Sequence, residues 1–209
     1  METVKRTETV RGKTVITFES GWQVWLAPGQ EPDFPLTEGA EVDRKEFEQF
    51  ILLRQYPAAL EKAVAMLALR SCTRAETERK LTFHHYDPCV IEMVLFKLEK
   101  EGLLNDSEFT GQWIQARIKK YGASRIYQEL VRKGIDRDEA REALASCSEE
   151  EQTEHAVYLA KKKLRSIKAD KDRQVLFRSI TGMLVRRGYS WEIAKKAFGK
   201  AAEELTDNE

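Results

Sequence analysis

Leu130-Val131-Arg132-Lys133-Gly134-Ile135-Asp136, followed by Ala140 and Leu144, returns 54 positions later as Leu184-Val185-Arg186-Arg187-Gly188-Tyr189-Ser190, followed by Ala194 and Phe198. A weaker copy starts at Leu81, with Tyr86, Asp87, Ile91 and Leu95 at the places of Ile135, Asp136, Ala140 and Leu144, now offset by 49. Each copy reads as the apolar end of one helix, a turn, a capping residue and the apolar stripe of the next helix. Recurrence at this period marks a tandem array whose units cannot bury their apolar faces alone. Such arrays work through extended surfaces rather than catalytic pockets.

The turn inside each copy has a physical reading. A residue just past a helix end often takes a left-handed conformation that only glycine adopts without a Cβ penalty, so Gly134 and Gly188 let a second helix turn sharply into a third. His85 stands in the corresponding slot of the first copy.

Working outward, capping signals set the helices. Thr73 with Glu76, Asp136 with Glu139, and Ser148 with Glu151 are capping pairs; Asp87-Pro88 and Ser190 are further helix starts. Apolar residues at helical spacing follow: Leu60, Val64 and Leu67; Ile91, Val94, Leu95 and Leu98; Phe109, Trp113 and Ala116; Ile126, Leu130 and Val131; Ala156, Leu159, Ala160 and Leu164; Leu176, Ile180, Met183 and Leu184; Ile193, Ala194, Ala197 and Phe198. The expectation is nine helices over residues 58–205 in three units, 57–105, 106–148 and 149–209, with a frayed acidic tail from Glu203.

Residues 1–56 read differently. Thr14-Val15-Ile16-Thr17-Phe18 and Trp22-Gln23-Val24-Trp25-Leu26, parted by Glu19-Ser20-Gly21, predict a hairpin. A lone hairpin is marginal, so a third strand near Val4 to Val10 or a covering helix is expected. Pro28, Gly29, Pro32 and Pro35 interrupt regular structure. Asp43 then caps a helix, with Glu46 three residues on, that is expected to end before Pro57. The fold class is mainly α: an elongated tandem array of three-helix repeats behind a small N-terminal module containing a β-hairpin.

At 209 residues, 42% hydrophobic and 33% charged, the chain can build ordinary cores and is too polar for a membrane protein. No apolar run approaches the roughly 20 residues of a spanning helix, and the first residues lack a signal peptide's apolar core, so a cytosolic location is expected. Cys72, Cys89 and Cys147, odd in number and irregular in spacing, suit reduced thiols. A zinc site at Cys72, His84, His85 and Cys89 is disfavoured because Cys72 has no ligand at the usual two-to-four-residue spacing. The chain holds no nucleophile elbow, phosphate-cradling glycine loop or dinucleotide fingerprint, and its carboxylates sit at caps or beside basic residues at helical spacing. The expectation is a protein that is not an enzyme.

The net charge of zero hides an asymmetry, since residues 1–56 hold 7 Lys and Arg against 10 Asp and Glu, whereas residues 161–200 hold 13 against 3. Arg117, Lys119, Lys120 and Arg125 surround the Tyr121-Gly122 turn. Arg132 and Lys133 end one helix, and Arg186 and Arg187 fill the corresponding places 54 residues on. Lys161, Lys162, Lys163, Arg165 and Lys168 add to the same end. In-register recurrence places these cations on one track suited to phosphate. Cations at helix C-termini also offset the macrodipole, by about 0.3–1 kcal/mol each, and the two roles are compatible. Trp113 reads as core, and Trp191, just after a cap, as exposed or packed.

Several of these segments resemble one known family. Thr37-Glu38-Gly39-Ala40-Glu41-Val42-Asp43, the run Ala63 to Arg70, Thr73-Arg74-Ala75-Glu76, Leu98 to Asp106 with Phe109, and Tyr121-Gly122-Ala123-Ser124-Arg125-Ile126 through Gly134-Ile135 are similar to the RecX family, most specifically the Gly102-Leu103-Leu104-Asn105-Asp106 turn before Phe109 and Trp113. The resemblance spans nearly the whole chain. It implies a bacterial regulator of the RecA recombinase, built of tandem three-helix repeats, that binds in the groove of the RecA–DNA filament and suppresses ATP hydrolysis, strand exchange and co-protease function. It further implies a cytoplasmic monomer without cofactor or catalytic residues, and assigns the Tyr121 to Arg125 turn and the Arg132, Lys133 region to the filament surface. Direct contact with single- or double-stranded DNA is left open. The chain departs from the pattern at His85 and at the proline-rich insertion from Pro28 to Pro35. The competing reading is a general nucleic-acid-binding helical module without a recombinase partner; a DNA hydrolase is the third.

Overall fold

The computed structural model describes residues 1–34, 36–167 and 172–206. Pro35, Lys168 and the last three residues of the acidic tail lie outside them. By backbone contacts the chain divides into two compact units, Met1–Asn105 and Asp106–Glu209.

In the first unit the alternating β-branched and aromatic residues form an antiparallel sheet of β1 (Glu2–Val10), β2 (Lys13–Phe18), β3 (Gln23–Leu26) and β4 (Glu41–Val42), in the order β3-β2-β1-β4. β1 supplies the expected third strand; β4, two residues long, is below what periodicity can register. Arg11 and Gly12 join β1 to β2 with φ of 51° and 76°, a two-residue turn whose twist matches that of its strands. Val4, Ile16, Phe18, Val24 and Leu26 are buried against the helices.

The helix capped by Asp43 does not end before Pro57. α1 runs Arg44–Leu69 with Pro57 inside it. Phe47, Ile51, Gln55, Ala59 and Ala63, all buried, recur every four residues on both sides of the proline, and this continuous buried face outweighs the one hydrogen bond that Pro57 removes. The carbonyl left without a donor belongs to Leu53, which is 78% exposed, so solvent can satisfy it. The expected inward stripe of Leu60, Val64 and Leu67 is displaced as well: Ala59 and Ala63 take the core, Leu60 and Leu67 flank it, and Val64 is exposed.

α2 (Arg74–Phe83) starts at the Thr73–Glu76 capping box, and α3 (Pro88–Lys100) at Asp87, whose carboxylate accepts from the Cys89 N–H. One apolar core joins the sheet and these helices, from Val4 and Phe18 through Ile51 to Val94, Leu95 and Leu98. Gln55 stitches it. Its amide donates to the Trp25 carbonyl and accepts from the Asp87 N–H, each at 2.9 Å. Burial, then the adjoining Asp87 carboxylate, pushes the Cys89 thiol up to about 12, far from the thiolate form that reacts.

The second unit contains α4 (Asp106–Arg117), α5 (Ala123–Lys133), α6 (Arg137–Ala145), α7 (Glu149–Arg165), α8 (Arg173–Arg186) and α9 (Trp191–Thr206). Phe109, Ile114, Ile126, Leu130, Ala140 and Leu144 form one core; Ala156, Ile180, Leu184, Ala194 and Phe198 belong to another. The in-register residues Leu130 and Leu184 are fully buried. Asp136, Ser148 and Ser190 all accept backbone N–H groups at helix starts, as expected. The tail read as frayed is helical from Glu203 through Thr206.

All three turns between second and third helices are left-handed, at Gly134 (φ 94°), Gly188 (φ 88°) and His85 (φ 63°). For histidine that conformation costs on the order of 1–2 kcal/mol. Gly122 and Gly188 are required for a further reason. The Gly122 N–H donates to the Arg187 carbonyl at 3.0 Å. A Cβ at Gly122 would lie 2.2 Å from the Gly188 carbonyl oxygen, and one at Gly188 would lie 2.5 Å from Arg125 Cβ. Backbone meets backbone where the second and third helical triplets join.

Candidate functional site

All but Arg165 and Arg186 of the described cations of the predicted track divide into two groups. The first serves the fold. Arg117 Nε lies 2.9 Å and Arg125 Nε 3.2 Å from the Glu129 carboxylate, to which the Trp113 indole N–H also donates at 3.3 Å. Arg117 stacks 3.7 Å from the centre of Trp113, Lys133 sits 4.3 Å from that ring, and Arg125 lies 4.1 Å from Tyr121. Trp113 is thus a half-buried plate that two cations share rather than plain core, and cation–π attraction of about 0.5–2 kcal/mol per contact holds these side chains to the protein. The Arg132 Nε–H donates to the Gln128 carbonyl, and Lys161 pairs with Glu204.

The second group converges. Lys119 and Lys120, just beyond α4, meet Lys162 and Lys163 of α7 and Arg187 at the end of α8 around a depression of about 520 Å³. Among the described residues none of these five is ion-paired. Tyr158, 63% exposed, stands in the wall with Leu159 and Met183. Helical geometry explains the convergence: Tyr158 and Lys162 are four residues apart on α7, as are Leu159 and Lys163, so each cation shares a face with an apolar neighbour. The Gly122–Arg187 hydrogen bond draws the end of α8 to the turn that follows Lys119 and Lys120. Five like charges around one hollow, with a phenol ring and aliphatic wall, fit a phosphate-bearing or strongly acidic surface.

Arg165 and Arg186 are exposed and outside the depression, and Trp191, 52% exposed, meets Phe177 edge-on. Tyr158 was not legible as a site residue. Its signal is its spacing from Lys162, which looks like any solvated helix face until the neighbouring elements are placed.

A larger hollow of about 760 Å³ in the same unit is of mixed charge, with Glu139, Glu142 and Glu151 in its lining beside Lys119 and His155. Among the described residues no three His, Cys, Asp or Glu side chains are arranged to hold a metal, and no described helix is long and apolar enough to cross a membrane.

A family model for the second three-helix domain of RecX matches residues 105–144, and one for the third three-helix domain of RecX matches 149–198. The regulatory protein RecX of Amycolatopsis mediterranei (strain U-32) is 34% identical over 142 residues, which cover 67% of this chain and 81% of that protein. The chain belongs to the RecX family. Two crystal structures share the fold. RecX from Lactobacillus salivarius has a TM-score of 0.65 at 24% identity, covering 72% of this chain and 98% of its own. Another, described as regulatory protein RecX, has a TM-score of 0.59 at 21% identity, covering 92% and 97%. In this RecX-family chain the lysines and arginine of the depression all fall within the two matched RecX domains.

Proposed function

We propose that this protein regulates a RecA-type recombinase by binding the RecA–DNA filament in its groove and suppressing ATP hydrolysis, strand exchange and co-protease function. Membership of a family whose relatives carry the name regulatory protein RecX supports the regulatory part. The observation that carries the surface assignment is the gathering of Lys119, Lys120, Lys162, Lys163 and Arg187, none ion-paired among the described residues, around one depression. A filament on DNA offers phosphate and acidic protein surface in repeating copies, so several weak contacts in one chain add to high avidity. In this reading the three repeats, 57–105, 106–148 and 149–209, are the contacting modules, the protein is a cytoplasmic monomer, and it needs no cofactor and performs no catalysis of its own. The test follows DNA-dependent ATPase of the cognate RecA against added protein. Wild type is expected to inhibit at near-stoichiometric amounts, and Lys119→Glu/Lys162→Glu to need at least about tenfold more, since two reversed charges face phosphate. Lack of inhibition by the folded wild-type chain, with tight binding to naked DNA, favours the general nucleic-acid-binding module instead.

A further inference from the structure

Only two described non-glycine residues have a left-handed backbone, Arg11 (φ 51°) and His85 (φ 63°), and they lie close enough in the first unit to act on each other electrostatically. Glycine would adopt either conformation freely, and the other two repeats place glycine where His85 stands. Strain kept at two surface positions of one unit bears on what their side chains do.

His85 stacks flat on Trp25, with centroids 3.9 Å apart and planes inclined by 9°, and it is exposed. Phe83, 73% exposed, is a second exposed ring, with His84 edge-on to it and Lys80 Nζ 5.7 Å from its centre. Lys13 reaches in from β2 to donate to the His84 carbonyl at 2.8 Å, and Lys62 of α1 acts on both Lys13 and His84. Among the described residues none of Arg11, Lys13, Lys62 and Lys80 is ion-paired. The turn of the hairpin, β2, β3, α1 and α2 thus bring four cations to the rim of an aromatic platform.

We propose that this face of the first unit is a binding site for single-stranded nucleic acid, with a base stacked on the outer face of His85 and the flanking phosphates on Arg11, Lys13, Lys62 and Lys80. Planar faces among cations that carry no ion pair match a strand whose bases are unstacked; a duplex presents phosphates but no open base face, and an acidic peptide satisfies the cations but leaves the rings unused. None of these residues belongs to the depression in the second unit, and the site requires no recombinase.

The test is fluorescence anisotropy of the full-length chain with a labelled oligodeoxythymidylate, and with the same strand annealed to its complement. Arg11→Gly/His85→Gly removes the ring and one cation while relieving both left-handed residues. It is expected to melt no lower than wild type and to bind the single strand at least about tenfold more weakly. Lys62→Glu/Lys80→Glu, which leaves the strained turns untouched, is expected to lose affinity similarly. Lys119→Glu/Lys162→Glu, in the other unit, is expected to keep most of it, so the readout is separate from that of recombinase inhibition. Unchanged affinity in either first-unit variant overturns the site. A glycine variant that melts lower and binds normally makes the His85–Trp25 stack purely structural, and equal affinity for the duplex overturns the single-strand assignment.

Discussion

His84 and His85 show how a surface field reaches the fold. Burial lowers the pKa of both imidazoles first, and positive neighbours add to it: Lys62, Lys80, Lys13 and His85 around His84, and Lys13 and Arg11 around His85. The unfolded chain therefore takes up protons on these rings before the folded one does. Stability tied to them is whole above the ordinary histidine value near 6.5 and is lost as pH falls from there through the depressed folded values. Thermal melts from about pH 7.5 down to about 5.5 should show the wild type losing more of its melting temperature than His84→Gln/His85→Gln; parallel curves would show that the rings titrate as in the unfolded chain. Arg117 and Lys119 teach a second lesson at this scale. They stand two positions apart in the same basic run, yet Arg117 is held by Glu129 and Trp113 while Lys119 faces the depression. Charge type and spacing place both on a cationic stretch, but which one remains available depends on Glu129 and Trp113, which other turns of the chain supply.

At the scale of elements, the caps and the turns were legible because their chemistry is local. Thr73 with Glu76, and Asp136 with the two N–H groups it accepts, need only neighbours within three residues. Pro57 was misleading for the complementary reason: proline's local cost is fixed, whereas the buried face that keeps α1 continuous is covered by β-strands and α3 that the local sequence does not contain. Gln55 makes that dependence testable. Gln55→Leu leaves the Trp25 carbonyl and the Asp87 N–H without partners in a buried setting and should destabilise the protein by about 1–3 kcal/mol per group left unpaired, read by urea denaturation; a neutral substitution would mean the amide is replaceable by packing. At the junction of the second and third triplets, Gly122→Ala drives a methyl group into the Gly188 carbonyl and breaks the hydrogen bond to Arg187. A loss of at least about 1–3 kcal/mol is expected in the same assay, with Ser124→Ala, exposed two residues further on, as the control that should change little.

Across the whole molecule, net zero charge conceals cation clusters that charge counting alone assigns only to the C-terminal half. If the depression holds phosphate, binding to a DNA-bound filament should weaken steeply with salt, and each cation removed from it should reduce the slope of log affinity against log salt by about 0.7–0.9. A titration of wild type and Lys120→Ala/Lys163→Ala measures that slope, with circular dichroism confirming an unchanged helical signal; identical slopes would return these lysines to the role of solvated helix ends. By itself the sequence determined the mainly helical class, the in-register triplets, the left-handed turns at Gly134 and Gly188 and the strand-bearing N-terminus, because periodicity, capping and glycine stereochemistry act over a few residues. Only the tertiary structure decided that α1 crosses Pro57, that the sheet and first triplet share one core, and which cations stay unpaired. Those outcomes depend on contacts between residues far apart in the chain, where burial and pairing compete, and no local pattern encodes the winner.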